Sequence, residues 1–214
     1  MDAEHSRRFR SEEVPTHPDW KTFERPSVFP ASTPIDLEIG CGVGWHPIRY
    51  ARENPDRFLI AIERTREKFE SFARRLETHA PLPNLLAVHA DAVNWVTHCL
   101  RPGQISRCFL LYPNPSPQNP SQRWIRMPFL DRLAEVLEPG GEIRLVTNLA
   151  GYFDELRSWA PRRGLHLANE WVFDRHLVPE GLPRTHFEKK YLERGDRCFE
   201  GVLKRGLDPL LHSQ

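Results

Sequence analysis

The sequence predicts an α/β fold, with a Rossmann-like, mostly parallel, doubly wound sheet that closes in a terminal antiparallel pair. Three features carry that reading. An apolar run, Ile35-Asp36-Leu37-Glu38-Ile39, feeds a turn with glycines at 40, 42 and 44. Five short strand-like runs, this one included, alternate with helix-length segments as far as Thr147, the pattern of βαβ units. Two more strand-like runs, Leu165 to Phe173 and Arg197 to Leu203, follow with no helix-length segment of clear periodicity between them, so they pair antiparallel most economically. With 214 residues and 39% hydrophobic content, the chain is long enough for one domain with its own core.

Residues 1–34 mix Arg7, Arg8, Arg10, Lys21 and Arg25 with six acids and several prolines, and hold neither period for long. They read as a partly ordered extension, either a flexible arm or a segment that folds over a ligand. The strand from Ile35 ends at the glycine turn. Glycines there let the backbone approach a ligand and adopt positive φ, and the following helix, Trp45 to Arg52, points free N–H groups at it. The spacing is not G-x-G-x-x-G, because the third glycine comes one residue early and Glu38 stands two residues before the first. A carboxylate at that strand end suits the ammonium of a methionine moiety and repels a pyrophosphate, so the turn (Gly40, Gly42, Gly44) favours S-adenosylmethionine over a dinucleotide.

Phe58 to Ile62 is the second strand and ends at Glu63, 19 residues beyond Gly44, where a carboxylate accepts from both ribose hydroxyls of an adenosine. Thr65 to His79 is a charged amphipathic outer helix with Phe69, Phe72 and Leu76 on one face. Leu85 to Val88 is the third strand. Asp91-Ala92 follows it, with Asp91 placed to accept an adenine amino group, to cap the next helix, or both. Ile105 to Leu111 is the fourth strand. It runs into Tyr112-Pro113-Asn114-Pro115-Ser116-Pro117-Gln118-Asn119-Pro120, a rigid loop that fixes side chains over the ligand. A helix over Gln122 to Leu137, a turn at Pro139-Gly140-Gly141, a fifth strand over Glu142 to Thr147 and a helix over Tyr152 to Trp159 complete the alternation.

Composition narrows the classes further. No apolar run approaches a membrane span or a signal-peptide core, which points to the cytoplasm. Cys41, Cys99, Cys108 and Cys198 form no C-x-x-C pair, so neither a metal site nor a disulfide framework is expected. The formal net charge of +1 means that any nucleic-acid partner is attracted by a local patch and not by the global field.

Together these pieces resemble the bacterial tRNA (guanine-N7-)-methyltransferase family from about Ile35 to Arg205. The resemblance rests on Glu38 to Gly44, Ile62-Glu63, Asp91-Ala92, Tyr112-Pro113-Asn114-Pro115, Thr147-Asn148, and Thr185-His186-Phe187-Glu188-Lys189-Lys190-Tyr191 with Gly195. It implies a class I S-adenosylmethionine-dependent methyltransferase domain over 35–205, between the extension and a tail at 206–214. Glu38, Gly40, Gly42, Gly44, Glu63, Asp91, Ala92 and Asn114 would then face the cofactor. Asn114 would lie closest to the methyl transfer, and Gln118, Asn148, Thr185, Phe187 and Glu188 would face a guanine of tRNA. No metal is implied, and monomer and homodimer both stay open.

The chain departs from the family in three places. It has Pro-Asn-Pro-Ser where the family has Pro-Asp-Pro-Trp, and Thr147-Asn148-Leu149 where it has Thr-Asp-Trp. The basic run after the loop has thinned to Gln118, Asn119, Gln122 and Arg123, with Arg126 beyond. An amide still accepts from a guanine edge but adds no charge, so recognition survives more easily than rate. Two alternatives stand beside the guanine reading: a methyltransferase for an amino nitrogen, and a cofactor-binding homologue with little or no activity on tRNA.

Overall fold

In the computed structural model, which describes residues 7–79, 81–179, 181 and 183–205, seven strands form one sheet. In chain order the elements are β1 (Ile35–Ile39), α1 (Trp45–Glu53), β2 (Phe58–Glu63), α2 (Arg66–His79), β3 (Leu85–His89), α3 (Ala92–Cys99), β4 (Ile105–Leu111), α4 (Phe129–Val136), β5 (Leu137–Thr147), α5 (Ala150–Trp159), β6 (Leu165–Phe173), α6 (His186–Arg194) and β7 (Cys198–Arg205). The strand order is β3-β2-β1-β4-β5-β7-β6, parallel except that β7 runs antiparallel to both β5 and β6. The order reverses between β1 and β4. A sheet of this kind opens a crevice for a ligand there, at the carboxyl ends of the strands.

Strand periodicity decides what each face of the sheet holds. Ile35, Leu37 and Ile39 of β1, with Phe58, Ile60 and Ile62 of β2, enter the large core beneath α3, α4 and α5, among Trp95, Val96, Phe129, Leu133 and Leu156. Leu59 and Ala61 face the other way, onto Ile48, Ala51 and Phe72 of α1 and α2. Each fully buried aliphatic side chain stabilises the fold by about 1.5–3 kcal/mol. On β1 this second face also holds Asp36 and Glu38, both buried, so polar partners have to come from neighbouring elements. Arg57 and the Tyr50 hydroxyl close on Asp36, and His46 closes on Glu38.

Three elements differ from expectation. The helix expected over Gln122 to Leu137 starts only at Phe129, since Pro128 disfavours helical backbone at Met127 and the stretch before it is folded as turns. The Pro139-Gly140-Gly141 turn lies inside β5 as an irregularity. Gly140 has φ +81°, and the pairing with β4 jumps from Leu137 to Glu142 between Ile105 and Arg107. Between β6 and β7, where no helix was expected, α6 forms. Its apolar residues are few, and it is started by Thr185, whose hydroxyl accepts from the Glu188 N–H at 3.0 Å.

The described part of the extension is fastened to the core at the amino ends of the strands and is not a free arm. Phe23 and Phe29 pack on Phe58, Phe9 packs on Phe129, and the Phe23 N–H donates to the Cys99 carbonyl at 2.7 Å. It therefore lies away from the carboxyl-end crevice. Residues 1–6 and the tail at 206–214 lie outside the described residues. Among the described residues no helix is long and apolar enough to cross a membrane, and Cys41, Cys99, Cys108 and Cys198 are all free and buried.

Candidate cofactor and substrate site

The glycine turn leaves β1 at the crevice. Gly40, Gly42 and Gly44 all have positive φ. A Cβ at Gly40 or Gly42 would meet nothing within 4 Å, so these two backbones border open space, whereas at Gly44 it would lie 2.0 Å from the buried Phe72 ring. The first two glycines thus leave room for a ligand, and the third lets α1 pack on α2.

Glu63, at the end of β2, reaches across to this turn. Its carboxylate accepts from the Gly42 N–H at 2.8 Å and the Thr65 N–H at 2.7 Å, which leaves further lone pairs for hydroxyl donors. Glu38 is almost wholly buried and bonds His46 Nδ1 at 2.7 Å, with that nitrogen as the donor because a carboxylate only accepts. Asp91 caps α3 through the Val93 N–H at 2.9 Å and stays partly exposed, with Arg64 at 3.5 Å. Ala92 is the buried first residue of that helix. Cys41 sits among these acids. Burial first, then the charges of Glu38 and Glu63, push its thiol well above the ordinary range, so it is a neutral thiol and no nucleophile.

The loop after β4 has positive φ at two non-glycine residues, Tyr112 (+51°) and Ser116 (+42°). Such backbone persists only when its surroundings impose it. Here the Tyr112 N–H donates to the Val146 carbonyl at 2.8 Å, and Arg123 Nε donates to the Pro115 carbonyl at 2.6 Å. Asn114 is exposed, and its Oδ1 accepts from the Ser116 N–H at 3.0 Å, closing an Asx turn that leaves the amide NH2 outward. Gln118 is exposed on the same loop.

The opposite wall comes from the carboxyl-terminal segment. Trp45, the first residue of α1, stacks on His186, the first of α6, with ring centroids 3.7 Å apart and an 18° tilt. The stack sets Thr185 to Glu188 beside the glycine turn. Phe187 is 52% exposed, and Thr185 spends its hydroxyl on the helix cap. Glu188 does not face the crevice as the resemblance implied. It is wholly buried, and its carboxylate is closed by Arg184 and by the Tyr112 hydroxyl at 2.9 Å, so it anchors two segments to each other. Asn148 follows β5 and donates from Nδ2 to Asp196 at 3.0 Å.

Sequence reasoning missed His46 and Asp196 and the bonding roles of Tyr112 and Arg184: the Tyr112–Glu188 and Asn148–Asp196 pairs join residues 76 and 48 apart, whereas the nearer His46–Glu38 and Arg184–Glu188 pairs form only once the turns between them are folded. Arg123 and Arg126 are the cations that remain of the basic run after the loop. Both are paired with Glu155, itself largely buried.

Comparison with known proteins fits this geometry. The model of a family described as "Putative methyltransferase" matches residues 32–200. The tRNA (guanine-N(7)-)-methyltransferase of Lactiplantibacillus plantarum is 31% identical over 173 residues, 79% of each chain. The protein of the same description from Roseobacter denitrificans is 32% identical over 182 residues, 84% of this chain and 76% of that one. A solved antibiotic-related methyltransferase superposes with a TM-score of 0.62 over 80% of this chain and 87% of its own, at 15% identity, which establishes likeness of fold.

Proposed function

The chain belongs to the tRNA (guanine-N7-)-methyltransferase family, and from that premise we propose that it forms N7-methylguanine in tRNA with S-adenosylmethionine as methyl donor. The observation that carries the reading is the Trp45–His186 stack, which joins the glycine turn to the carboxyl-terminal segment in one crevice. The residues fit the cofactor. Gly40 and Gly42 border open space, and Glu38, Glu63 and Asp91 gather negative charge suited to a cation that also carries ribose hydroxyls and an amino group. In this reading Glu63 and the turn hold the ribose, Asp91 and Ala92 the adenine, and Glu38, oriented by His46, the methionine end.

S-adenosylmethionine, when bound, supplies a methyl carbon on a positively charged sulfur. Guanine N7 presents a lone pair, so no side chain has to remove a proton, and the protein's work is alignment and charge. Asn114 stands between two prolines with its NH2 outward, able to donate to a carbonyl oxygen of the base. Phe187 offers an exposed ring on which the base can stack. With Arg123 and Arg126 taken by Glu155, phosphate contacts fall to exposed cations such as Lys189 and Lys190, and binding should depend only modestly on salt. Four buried free thiols suit a reducing, cytosolic setting. Titration with S-adenosylhomocysteine, followed by label transfer from S-adenosylmethionine to unmodified tRNA across a salt series, tests the proposal. Binding without transfer to any RNA would count against it.

A further inference from the structure

Asp196 and Arg194 form an ion pair between α6 and β7, outside the residues given a role above. β7 runs antiparallel to β5, so the residues just before it lie at the crevice end of the sheet. Gly195, at φ +87°, ends α6 with an αL cap, and the Asp196 N–H donates to the Tyr191 carbonyl at 2.9 Å, so the backbone of Asp196 is fixed. Its carboxylate takes three donors: Asn148 Nδ2 at 3.0 Å, Arg194 Nε at 2.9 Å, and Arg194 Nη2. Arg194 is 55% exposed and Asp196 22%. The Arg194 guanidinium holds the Asp196 carboxyl below its ordinary range, and Asn148 adds to this, so the group is ionised at neutral pH.

We propose that Asp196 reads the N1–H and N2–H2 edge of the target guanine, and that Arg194 occupies its place in the free protein. The chemistry is that of matching donor pairs. The guanine edge presents two parallel N–H donors on a planar N–C–N unit, and the Nε and Nη2 of a guanidinium present the same pair, so a carboxylate that accepts one accepts the other. Asn148 Nδ2, just after β5, holds one oxygen of that carboxylate in place. The exposed guanidinium is the partner that leaves, because an exposed ion pair contributes little and the arginine head regains water when it swings out. The Tyr191 ring, 5.2 Å from the Arg194 guanidinium carbon, lines the space left behind. The inference rests on the guanine reading above and deepens it by naming a residue outside the segments that the resemblance assigned to the substrate.

The test uses the full chain, a tRNA transcript methylated by the wild type, and the variants Asp196→Asn and Arg194→Ala. Asp196→Asn should lower kcat/KM for tRNA about tenfold to a hundredfold, the weight of one bidentate base contact, with unchanged affinity for S-adenosylhomocysteine. Arg194→Ala should raise kcat/KM by about two- to fivefold, as expected from removing an exposed competing pair. A purely structural ion pair would give losses or no change in both, so the opposite sign separates the two roles. A transcript with inosine at the methylated position, which lacks the N2 amino group, should be a poorer substrate for the wild type, and the difference from guanosine should shrink for Asp196→Asn, whose amide accepts without the charge. If the wild type makes no 7-methylguanosine, the guanine reading and this inference fall together. If it does and Asp196→Asn matches it, this inference alone falls. Should Asp196→Asn not fold, the absence of a gain in Arg194→Ala is sufficient to overturn it.

Discussion

The Tyr112 hydroxyl donates to Glu188 Oε1 over 2.9 Å, and this one bond joins the loop after β4 to the amino end of α6. Burial, and then the Glu188 charge, push the Tyr112 phenol far above its ordinary range, so it stays a neutral donor. Because Tyr112 has positive φ, the bond also holds the direction in which Asn114 is presented. Tyr112→Phe leaves the buried Glu188 carboxylate one donor short and should cost about 1–3 kcal/mol. Thermal unfolding measures that loss. Turnover should fall while affinity for S-adenosylhomocysteine holds, and an equal fall in both would place the effect in the core.

Gly44 separates α1 from α2. An added methyl would lie 2.0 Å from Phe72, a ring with no exposed surface and no room to retreat, at a backbone angle of +82°. Gly44→Ala should therefore destabilise the protein by at least about 2 kcal/mol, or roughly 4–8 °C in Tm. Gly40→Ala meets no atom and should cost about 1–2 kcal/mol in stability, from its positive φ alone. The methyl of Gly40→Ala would, however, project into the open space assigned to the cofactor. Melting curves with and without S-adenosylhomocysteine distinguish the two: the ligand-induced shift should shrink for Gly40→Ala.

Tyr50 links Asp36 to Arg107, donating to the first at 2.6 Å and accepting from the second at 2.8 Å. Burial, followed by the Asp36 charge, pushes its phenol up to about 12 from 10.0. A raised folded pKa means that the folded state keeps the proton longer. The stabilisation is therefore complete below pH 10 and is lost as the pH rises toward 12. Tyr50→Phe should cost about 1–3 kcal/mol at neutral pH and flatten the decline between pH 10 and 12. Denaturant melts across that range, with phenolate absorbance followed in parallel, check the sign; a steeper decline in the variant would be the wrong one.

Glu63 serves the turn and the ligand together. Glu63→Ala removes the acceptor for Gly42 and Thr65 as well as the proposed ribose contact, so affinity for S-adenosylhomocysteine should fall by about 1–3 kcal/mol. Titration calorimetry reads this directly, and unchanged affinity would remove Glu63 from the cofactor site.

The central sheet was legible because β2 and the end of β4 are nearly continuous apolar runs and β1 alternates apolar with acidic residues, all bounded by turn residues, signals that need no partner to be seen. The antiparallel close was legible for the same reason. α6 was not, because Phe187, Tyr191 and Leu192 make too thin a stripe, and its start signal, Thr185 with Glu188 three residues on, had already been read as a substrate motif. At the site, Gly40 to Gly44, Glu63 and Asp91 lie close to where their spacing placed them, since local turns set those positions. The roles of Glu188, Arg123 and Arg126 were not legible. Each is decided by a partner on another element, Tyr112 for the first and Glu155 for the other two, and no periodicity in the chain reports such pairs.

The most direct test of the account is the identity of the methylated nucleoside. Purified protein, S-adenosylmethionine carrying a labelled methyl group and unmodified tRNA are incubated together, and the RNA is digested to nucleosides for mass spectrometry. The account predicts label in 7-methylguanosine, lost when Asn114 or Phe187 is replaced by alanine. Label in an amino-methylated nucleoside, or no label in RNA from a protein that binds S-adenosylhomocysteine, would contradict it.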